Sequence, residues 1–416
     1  MIRKALLPLL LCVSAPLFAA TADRPLKSFP EAALKDKDPK ADVIFVVAGD
    51  NRPSAKGAPL PRVLDTIFSE IALIRPDFVL WTGDTVYGYC DTEPELEAEY
   101  QAFRDKARPI AGVVPLFNAP GNHEIHSDQE ECKNAGPLCW ADPGTPAPRC
   151  SEKAFRNHFG ELYGSFNYAG AHFIALNTAV PGEEDAIFGD QLQWLKDDLK
   201  SASDARAIFL FTHTEFFSSP LIDPSAGRGH PPVARHWELE DLFLRYPVAA
   251  VFSGHEHLFW HEPPEKHNFV DYFVAGGAGA PLYAPPDRGG FSHYLVVKLS
   301  GGKVSYELIE PGRLYVESAP GGLCPGAACF WLVDSNDVQQ PLLLRGIDVE
   351  VPASLGDCAG LTATAQARRR DGWVPVQPAQ NVALDCAAST GGKLHVNVPA
   401  LSQGSVLVTV SRKSTP

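Results

Sequence analysis

The sequence predicts an α/β domain followed by a smaller β-rich domain. Between about residues 42 and 311, short apolar runs alternate with helical patterns, which is typical of an α/β layered domain. From about Ser318 onward, short β-prone runs are separated by turn residues and show little helical periodicity, as in a β-sandwich. Twelve of the 13 histidines precede residue 311 and only His395 follows it, so we expect the chemistry to belong to the first domain.

Seven apolar runs are the predicted strands of the first domain, and each ends in a polar, glycine-containing or histidine-containing turn. They are Val43–Ala48, Phe78–Trp81, Val113–Asn118, His172–Leu176, Ala207–Phe211, Ala249–Phe252 and Tyr272–Val274. Apolar residues at helical spacing predict helices between them, as at Leu60–Ile74 and Asp190–Leu199. The predicted strands of the second domain, over 318–416, are Phe330–Val333, Gly346–Val351, Leu394–Val398 and Ser405–Val410.

The N-terminus has the features of an export signal. Two basic residues, at positions 3 and 4, precede the apolar stretch Ala5–Ala20, and the small residues Ala20 and Ala22 suit a signal peptidase. We therefore predict a signal peptide over 1–22, a polar linker over 23–41, and a periplasmic or secreted protein. The bulky Leu11 before Cys12 argues against lipid attachment at that cysteine.

Charge and hydropathy exclude two classes of partner. The chain has 36 Lys+Arg against 50 Asp+Glu, a net charge of −14. Binding to a nucleic-acid polymer depends on basic surfaces, so we expect none here. No second apolar run of about 18 residues follows the N-terminus, so no membrane span is expected.

Eight cysteines remain beyond the predicted signal peptide, and an even number in an exported chain favours disulfides over zinc binding. Four lie in each half, so each half is expected to close its own bridges, with the pairing left open: Cys90, Cys132, Cys139, Cys150, Cys324, Cys329, Cys358 and Cys386. Residues 88–160 also contain the acidic stretch Asp91–Glu99, interpreted as a solvated helix face, and a Pro/Gly-rich loop near 136–148. This insertion is predicted to be a disulfide-pinned cap over the first domain.

Polar clusters follow five of the apolar runs. The carboxyl ends of strands line the ligand crevice of an α/β sheet, so side chains more than 200 residues apart in sequence are expected to converge there. Converging Asp, Asn and His side chains indicate metal ions, and the absence of nearby cysteine argues against a closed structural zinc site. The clusters are Gly49-Asp50-Asn51-Arg52, Gly83-Asp84-Thr85-Val86-Tyr87, Gly121-Asn122-His123-Glu124, Thr212-His213 and Gly254-His255-Glu256-His257.

These motifs, in this order, resemble the calcineurin-like metallophosphoesterase superfamily over residues 42–311. The resemblance implies a four-layer α/β/β/α sandwich and a dinuclear metal centre whose bridging hydroxide attacks phosphorus. It also implies a role for each site residue. Asp84 would bridge the metals, Asp50 and His257 would bind the first, Asn122, His213 and His255 would bind the second, and His123 would contact the phosphoryl group or protonate the leaving group.

The first motif departs from the usual Asp-x-His of the superfamily, because this chain has Asp50-Asn51-Arg52. One nitrogen ligand of the first metal is therefore absent, and the permanently protonated Arg52 is a candidate phosphate clamp or a structural ion pair. Tyr87 lies three residues after Asp84, as in the Gly-Asp-x-x-Tyr motif of purple acid phosphatases, where the tyrosine coordinates ferric iron. Tyr87 is thus either a ligand or an aromatic residue beside the site.

The resemblance implies a phosphoesterase with two metal ions, Fe, Zn, Mn or Mg, acting on a small phosphate ester, and the predicted signal peptide and the cysteines imply that it is exported. Tyr87 and Arg52 favour phosphomonoesters, whereas a phosphodiesterase would use the same ligands. A non-catalytic metal-binding or adhesion module is the alternative of another class. Glu124 is either an orienting or a solvated residue, and other histidines, including His126 and His230, are interpreted as surface or supporting groups.

Overall fold

We describe a computed structural model of the protein. The structure describes residues 24–413, apart from 25, 30–31, 36, 90, 126–149, 181–183, 221, 223–229, 265–269, 321–322, 340, 345, 370–371, 377–381, 391–392, 399 and 402–403. The predicted signal peptide, Cys90, His126, the Pro/Gly-rich loop and the side chain of Cys150 lie outside the described residues. Within the described residues, none of the helices has the length and apolar content to span a bilayer.

The elements up to Ile309 alternate between strands and helices. Strands are β1 (Val43–Ala48), β2 (Phe78–Trp81), β3 (Leu116–Asn118), β4 (Gly164–Tyr168), β5 (Ala171–Ala175), β6 (Ile208–Phe211), β7 (Val248–Ser253), β8 (Phe259–Glu262), β9 (Asp271–Ala275), β10 (Tyr294–Ser300) and β11 (Lys303–Ile309). Helices are α1 (Val63–Ile74), α2 (Glu93–Lys106), α3 (Asn122–Ile125), α4 (Cys150–Phe159), α5 (Gly189–Ser201) and α6 (His236–Phe243), with short 3₁₀ helices at Arg108–Ile110 and Pro286–Arg288.

The strands form two sheets that pack face to face. Their orders are β11-β10-β1-β2-β3 and β4-β5-β6-β7-β9-β8. Alternate residues of β1 face opposite ways, as the pleat requires. Phe45 packs with Phe173 and Phe209 of the second sheet, at ring-centroid distances of 5.5 and 5.1 Å. The space between the sheets is therefore a core rich in aromatic side chains.

Helices cover the outer face of each sheet. The other face of β1, including Val46, belongs to the same core as Ile67 and Phe68 of α1. On the second sheet, Leu210 of β6 shares a core with Leu195 of α5. The order of layers is helix, sheet, sheet, helix, which confirms the predicted four-layer architecture.

Central parallel strands follow the predicted apolar runs closely, whereas antiparallel edge strands lack a predicted counterpart. β1 and β2 have the predicted bounds, while the third run begins at Leu116 because Val113 lies in an exposed turn after the 3₁₀ helix. β4, β8 and β11 lie at sheet edges and contain several partly buried residues, so their apolar signal is weaker.

Residues after Ile309 form a β-rich region, as predicted. Its strands are β12 (Leu314–Ser318), β13 (Ala327–Asp334), β14 (Leu342–Leu343), β15 (Ile347–Val349), β16 (Leu361–Arg369), β17 (Gly372–Pro375), β18 (Ala383–Thr390), β19 (Lys393–Asn397), β20 (Ala400–Leu401) and β21 (Gly404–Arg412), with 3₁₀ helices at Ala353–Leu355 and Cys358–Gly360. They form sheets β12-β13-β21-β16-β17, β15-β19-β18 and β14-β20. Disulfides join Cys324 to Cys329 and Cys358 to Cys386, so the four cysteines of this half pair with one another.

The acidic stretch is only partly solvated. Thr92 and Glu95 form a capping box at the start of α2. Asp91, however, is 1% exposed and lies 3.1 Å from Lys56 Nζ. The Glu99 carboxylate accepts hydrogen bonds from the backbone of Tyr87 and Gly88, at 2.5 and 3.2 Å. Interpreting the whole stretch as a solvated helix face was therefore wrong at these two positions.

A buried carboxylate joins α1 to the start of the β-rich region. Glu70 Oε1 accepts hydrogen bonds from the backbone N–H groups of Gly312 and Leu314, at 2.8 and 3.2 Å. The Tyr294 hydroxyl donates to Glu70 Oε2 at 2.9 Å. Nearby, Arg75 donates to Asp348 at 2.6 Å. These contacts fix the chain where it leaves the first pair of sheets.

Glu70 predicts a pH dependence of stability. Burial raises the pKa of Glu70 from 4.5 to about 7. The folded protein then keeps a proton that the unfolded chain releases, so this contribution to stability is present below pH 4.5 and is lost as the pH rises to about 7. The loss is at most about 3 kcal/mol, since one pKa unit corresponds to about 1.4 kcal/mol.

Glu70→Gln tests this, because the amide oxygen can still accept from Gly312 and Leu314 while the amide nitrogen donates to Tyr294 without titrating. The thermal midpoints of the variant and the wild type are measured at pH 5 and at pH 8. The midpoint of the variant, relative to that of the wild type, should be higher at pH 8 than at pH 5. An identical difference at both pH values would contradict the assignment.

Candidate metal centre

The predicted polar clusters meet at one edge of the two sheets. Asp50 and Asp84 follow β1 and β2, which pair in parallel, and His213 and His255 follow β6 and β7, which also pair in parallel. Asn122 begins α3, shortly after β3. Because parallel strands present their carboxyl ends at the same edge, all five loops reach the same place.

Three of these residues have backbone conformations that non-glycine residues rarely adopt. Asp50, Asp84 and His255 have φ angles of 62°, 55° and 67°. Such left-handed conformations are costly for L-residues and cluster at functional sites. Here they turn each side chain back toward the centre of the group directly after the strand ends.

One group of possible metal ligands contains two carboxylates and an imidazole. Asp50, Asp84 and His257 each offer one atom, and these atoms lie within 4.8 Å of one another. His257 Nε2 is 3.6 Å from Asp50 Oδ1. All three residues are buried.

A second group adjoins it through Asp84. His213 Nε2 lies 3.3 Å from Asp84 Oδ1, 2.8 Å from Asn122 Oδ1 and 3.0 Å from His255 Nδ1. Asp84 is therefore close to both groups. The six residues predicted from the resemblance to be ligands thus lie close together around Asp84.

Backbone carbonyls orient two of the imidazoles. His213 Nδ1 is 2.8 Å from the Thr82 carbonyl oxygen, and His257 Nδ1 is 2.6 Å from that of Pro281. A carbonyl oxygen only accepts, so Nδ1 carries the proton and Nε2 presents a lone pair to the centre. Such contacts fix the tautomer that a metal-binding histidine needs.

Electrostatics at the centre favour a cation. Burial, together with the charge of Asp84, raises the pKa of Asp50, and burial raises the pKa of Asp84 to about 7. Burial lowers the pKa of His257 to about 3, so its imidazole is neutral. His213 Nε2 and Asn122 Oδ1, both acceptors, face each other at 2.8 Å. Converging lone pairs and carboxylates of this kind fit metal ions held by nitrogen and oxygen ligands.

Family comparison supports the same conclusion. The family model described as calcineurin-like phosphoesterase matches residues 45–259, more than half of the chain. The chain belongs to the calcineurin-like phosphoesterase family. The matched range contains all the residues predicted to form the site.

Known relatives include purple acid phosphatases. Purple acid phosphatase 13 of Arabidopsis thaliana is 28% identical over 186 residues, which cover 44% of this chain and 30% of that protein. Purple acid phosphatase 15 of the same plant is 25% identical over 283 residues, covering 62% and 48%. The structure of purple acid phosphatase PPD1 from yellow lupin (Lupinus luteus) seeds has 18% identity and a TM-score of 0.51, covering 66% and 52%, and shares the fold. The chain spans about half or less of the length of these relatives.

Glycines allow the loops of the centre to pack against the predicted ligands. A Cβ atom on Gly254 would lie 2.1 Å from Asp50 Oδ2, and one on Gly121 would lie 2.3 Å from Asp84 Oδ1. One on Gly83 would lie 2.9 Å from His213 Nδ1. Any side chain at these positions would displace a ligand.

Glu124 orients the loop of the shared carboxylate. Its Oε2 accepts from the backbone N–H groups of Asp84 and Gly121, at 2.9 and 2.8 Å. Its Oε1 accepts from the backbone and hydroxyl of Thr85, both at 2.6 Å. The residue is 1% exposed, so of the two alternatives left open by the sequence, the orienting one is correct and the solvated one is not.

His123 and Tyr87 contact each other through the backbone. His123 Nδ1 lies at hydrogen-bond distance from the Tyr87 carbonyl oxygen, and His123 Nε2 is 3.9 Å from Asp84 Oδ2. The ring of Tyr87 is 5.7 Å from that of His123, centroid to centroid. In the described part of the chain, no hydrogen bond joins the Tyr87 hydroxyl to the predicted ligands. Tyr87 therefore lies beside the centre without contacting it in this way.

Arg52 lies against the shared carboxylate. Its Nε is 3.6 Å from Asp84 Oδ2, and the side chain is 14% exposed. Arg52 Nε is buried and has no hydrogen-bond acceptor among the described residues. Arg52 also interacts with the hydroxyl of Tyr283. A guanidinium in this position can bind an anionic oxygen.

Three aromatic side chains at the centre are absent from the sequence-based set. Tyr89 stacks on His123 at 4.0 Å, Tyr283 stacks on His257 at 4.1 Å, and the ring of His230 is 4.0 Å from that of His255. Tyr89 lies two residues beyond Tyr87, so its closeness to the motif could have predicted a place at the centre. Tyr283 and His230 come from loops with no motif, and only the fold brings them here.

Replacing Glu124 by Gln should weaken metal binding and lower the thermal midpoint. The amide nitrogen of Gln cannot accept, so either the Asp84 and Gly121 pair or the Thr85 pair of donors loses its partner. Loss of a residue that orients a ligand typically costs 10–100-fold in metal affinity. Metal content after dialysis against a chelator measures this, with the exposed Glu317→Gln as the control. Equal metal retention in both variants would contradict the orienting role.

Proposed function

We propose that this chain is a metal-dependent phosphatase that hydrolyses small phosphomonoesters. The observation that carries the proposal is the closeness of Asp84 both to Asp50 and His257 and to His213. Two cations on either side of one carboxylate can stabilise the attacking and the leaving oxygens of an in-line displacement. Membership of the calcineurin-like phosphoesterase family supports a phosphoester as the bond that is cleaved.

The ligands divide between two metals. We assign Asp50, Asp84 and His257 to the first metal, and Asp84, Asn122, His213 and His255 to the second. When bound, the ions supply Lewis-acid polarisation of the phosphoryl oxygens and lower the pKa of a coordinated water. Mixed carboxylate, amide and imidazole donors suit Fe, Zn or Mn, which are among the metals expected from the sequence.

Tyr87 is proposed as a further ligand when the first metal is ferric iron. The first motif supplies no replacement nitrogen, because Asn51 Nδ2 donates to the Thr85 carbonyl oxygen at 3.1 Å and Arg52 is permanently protonated. Similarity to purple acid phosphatases supports this assignment.

His123 is proposed to act on the phosphoryl group or on the leaving group. Its Nδ1–H donates to the Tyr87 carbonyl oxygen, which leaves Nε2 facing the centre, 3.9 Å from Asp84 Oδ2. Burial lowers the pKa of His123 well below its usual value, so the imidazole is neutral before substrate binds. The negative charge of a bound phosphate ester favours protonation at Nε2, from which the proton can pass to the departing oxygen.

Arg52 distinguishes monoesters from diesters in this proposal. A terminal phosphate carries two negative charges and offers more free oxygens than a diester. The buried Nε–H of Arg52, which lacks an acceptor among the described residues, can donate to one of them. Because the remaining ligands serve both reactions, this donor is the feature that favours the monoester.

Two other functions are alternatives to a phosphomonoesterase. A phosphodiesterase would use the same ligands without depending on Arg52. A non-catalytic binding module would not need His123, and the complete set of Asp50, Asp84, His213 and His257 at one centre argues against it.

We also propose export to the periplasm or the medium. The basic and apolar N-terminus supports this, as do the disulfides Cys324–Cys329 and Cys358–Cys386, since disulfides persist in oxidising compartments. Fusion of residues 1–22 to a reporter that is active only after export tests the signal. A reporter that stays inside the cell would contradict it.

The function is tested with purified protein supplied in turn with Zn, Mn and Fe, and assayed on a chromogenic phosphate monoester and the matching diester. We expect metal-dependent turnover with the higher kcat/KM for the monoester. Arg52→Ala should lower kcat/KM for the monoester by about tenfold or more, while changing the diester less, since a charged hydrogen bond is lost.

The exposed Arg108→Ala serves as the control and should match the wild type. A preference for the diester that Arg52→Ala leaves unchanged would favour the phosphodiesterase. Stoichiometric metal binding without turnover of either ester would favour the binding module.

The division of roles among the histidines predicts different losses. His213→Ala should lose the second metal and nearly all hydrolysis, whereas His123→Ala should keep both metals and lose most of kcat. Metal content by mass spectrometry and kcat on the monoester separate the two, with His261→Ala, paired with Asp271, as the control. Empty metal sites in His123→Ala would show that its assigned role is wrong.

Tyr87→Phe extends the same test to the proposed tyrosine ligand. With ferric iron bound, the wild type should absorb visible light through charge transfer from tyrosinate to iron, and the variant should not. An unchanged visible spectrum would remove Tyr87 from the ligands.

A further inference from the structure

A turn formed by residues 87–89 surrounds His123. Its Tyr87 carbonyl oxygen accepts from His123 Nδ1, and the ring of Tyr89 stacks on the imidazole with centroids 4.0 Å apart and planes 23° apart. The imidazole is therefore held at its edge and on one face. Neither contact restrains Nε2, which faces the centre.

The Tyr89 hydroxyl also contacts Asn122. Asn122 Nδ2 donates to the Tyr89 hydroxyl, while Asn122 Oδ1 faces His213 Nε2 at 2.8 Å. One tyrosine thus contacts a proposed ligand of the second metal through its hydroxyl and the proposed phosphoryl-contacting histidine through its ring.

This close packing depends on Gly88 and Glu99. A Cβ atom on Gly88 would lie 1.7 Å from the His123 carbonyl oxygen, and the residue has a φ of +69°. Glu99 accepts from the backbone of Tyr87 and Gly88, which anchors the turn to α2. The turn that carries Tyr89 is therefore held in place beside the centre.

We propose that Tyr89 is a positioning residue for the second metal and for His123. The inference rests on the proposed function, since it takes Asn122 as a ligand. When Oδ1 of Asn122 binds a cation, its Nδ2 points away and needs an acceptor, which the Tyr89 hydroxyl provides. Without the cation, the amide can rotate and donate Nδ2 to His213 Nε2 instead. The Tyr89 hydroxyl thus stabilises the metal-bound arrangement in particular.

Tyr89→Phe keeps the ring and removes the hydroxyl. It should weaken binding of the second metal about tenfold, by analogy with other residues that orient metal ligands. Binding of the first metal should be unchanged. Titration with Zn alone against a competing chelator measures both affinities without any substrate.

Tyr89→Leu removes the ring as well, so His123 loses the stacked face that holds its plane. This variant should add a fall in kcat of about tenfold and an altered pH profile of kcat to the loss of metal affinity. Circular dichroism checks that it folds, and Tyr89→Phe alone decides the hydroxyl's role if it does not.

Tyr100→Phe is the matched control. Tyr100 is also buried and stacks on a histidine, His158, at 4.6 Å and 28°, but its hydroxyl has no hydrogen-bond partner in the part of the chain that the structure describes. It should leave both affinities unchanged. Wild-type affinity for the second metal in Tyr89→Phe, or equal losses at both metals, would overturn the proposal. The metal titration needs no turnover. If the protein were inactive, the proposed function would be contradicted, but the titration would still test the role of Tyr89.

Discussion

Two buried carboxylates at one centre are the constraint on which the rest of the structure depends. Asp50 and Asp84 are essentially unexposed, and their pKa values are raised, for Asp50 by burial and by the charge of Asp84 and for Asp84 by burial. The neighbouring imidazoles are neutral, so they cannot neutralise this charge. A cation would relieve both the repulsion between the carboxylates and the crowding of lone pairs, so the arrangement favours a metal site.

Holding such a group together requires a surrounding network whose members do not touch the metal. Left-handed backbone at Asp50, Asp84 and His255 is tolerated because hydrogen bonds fix the loops, including the four accepted by Glu124. The parallel strands behind these loops are packed between aromatic and helical layers. The packed core therefore fixes the positions of the proposed ligands, and catalysis by preorganised groups requires such fixed positions.

The sequence predicts those parts that depend on local pattern. Buried parallel strands and the ligands directly after them leave continuous signals, so β1, β2 and the groups around Asp84 and His213 were identified. Contacts between distant loops leave none. Tyr283 reaches His257 and His230 reaches His255 only after the sheets are assembled. The burial of Asp91 was missed for the same reason, because its partner Lys56 lies in another loop.

The altered first motif makes the two proposed metal positions unequal. In the proposed assignment the second has four protein donors, whereas the first has Asp50, Asp84 and His257, joined by Tyr87 when the metal is ferric iron, and Arg52 stands where the superfamily usually supplies a histidine. The Arg52 guanidinium lies 3.6 Å from the Asp84 carboxylate that both proposed positions share, so it would compete with a cation for that carboxylate. The same charge would attract the phosphate of the proposed substrate. In the proposed site, the residue that stands in place of a nitrogen ligand of the first metal is therefore also a donor for the anion.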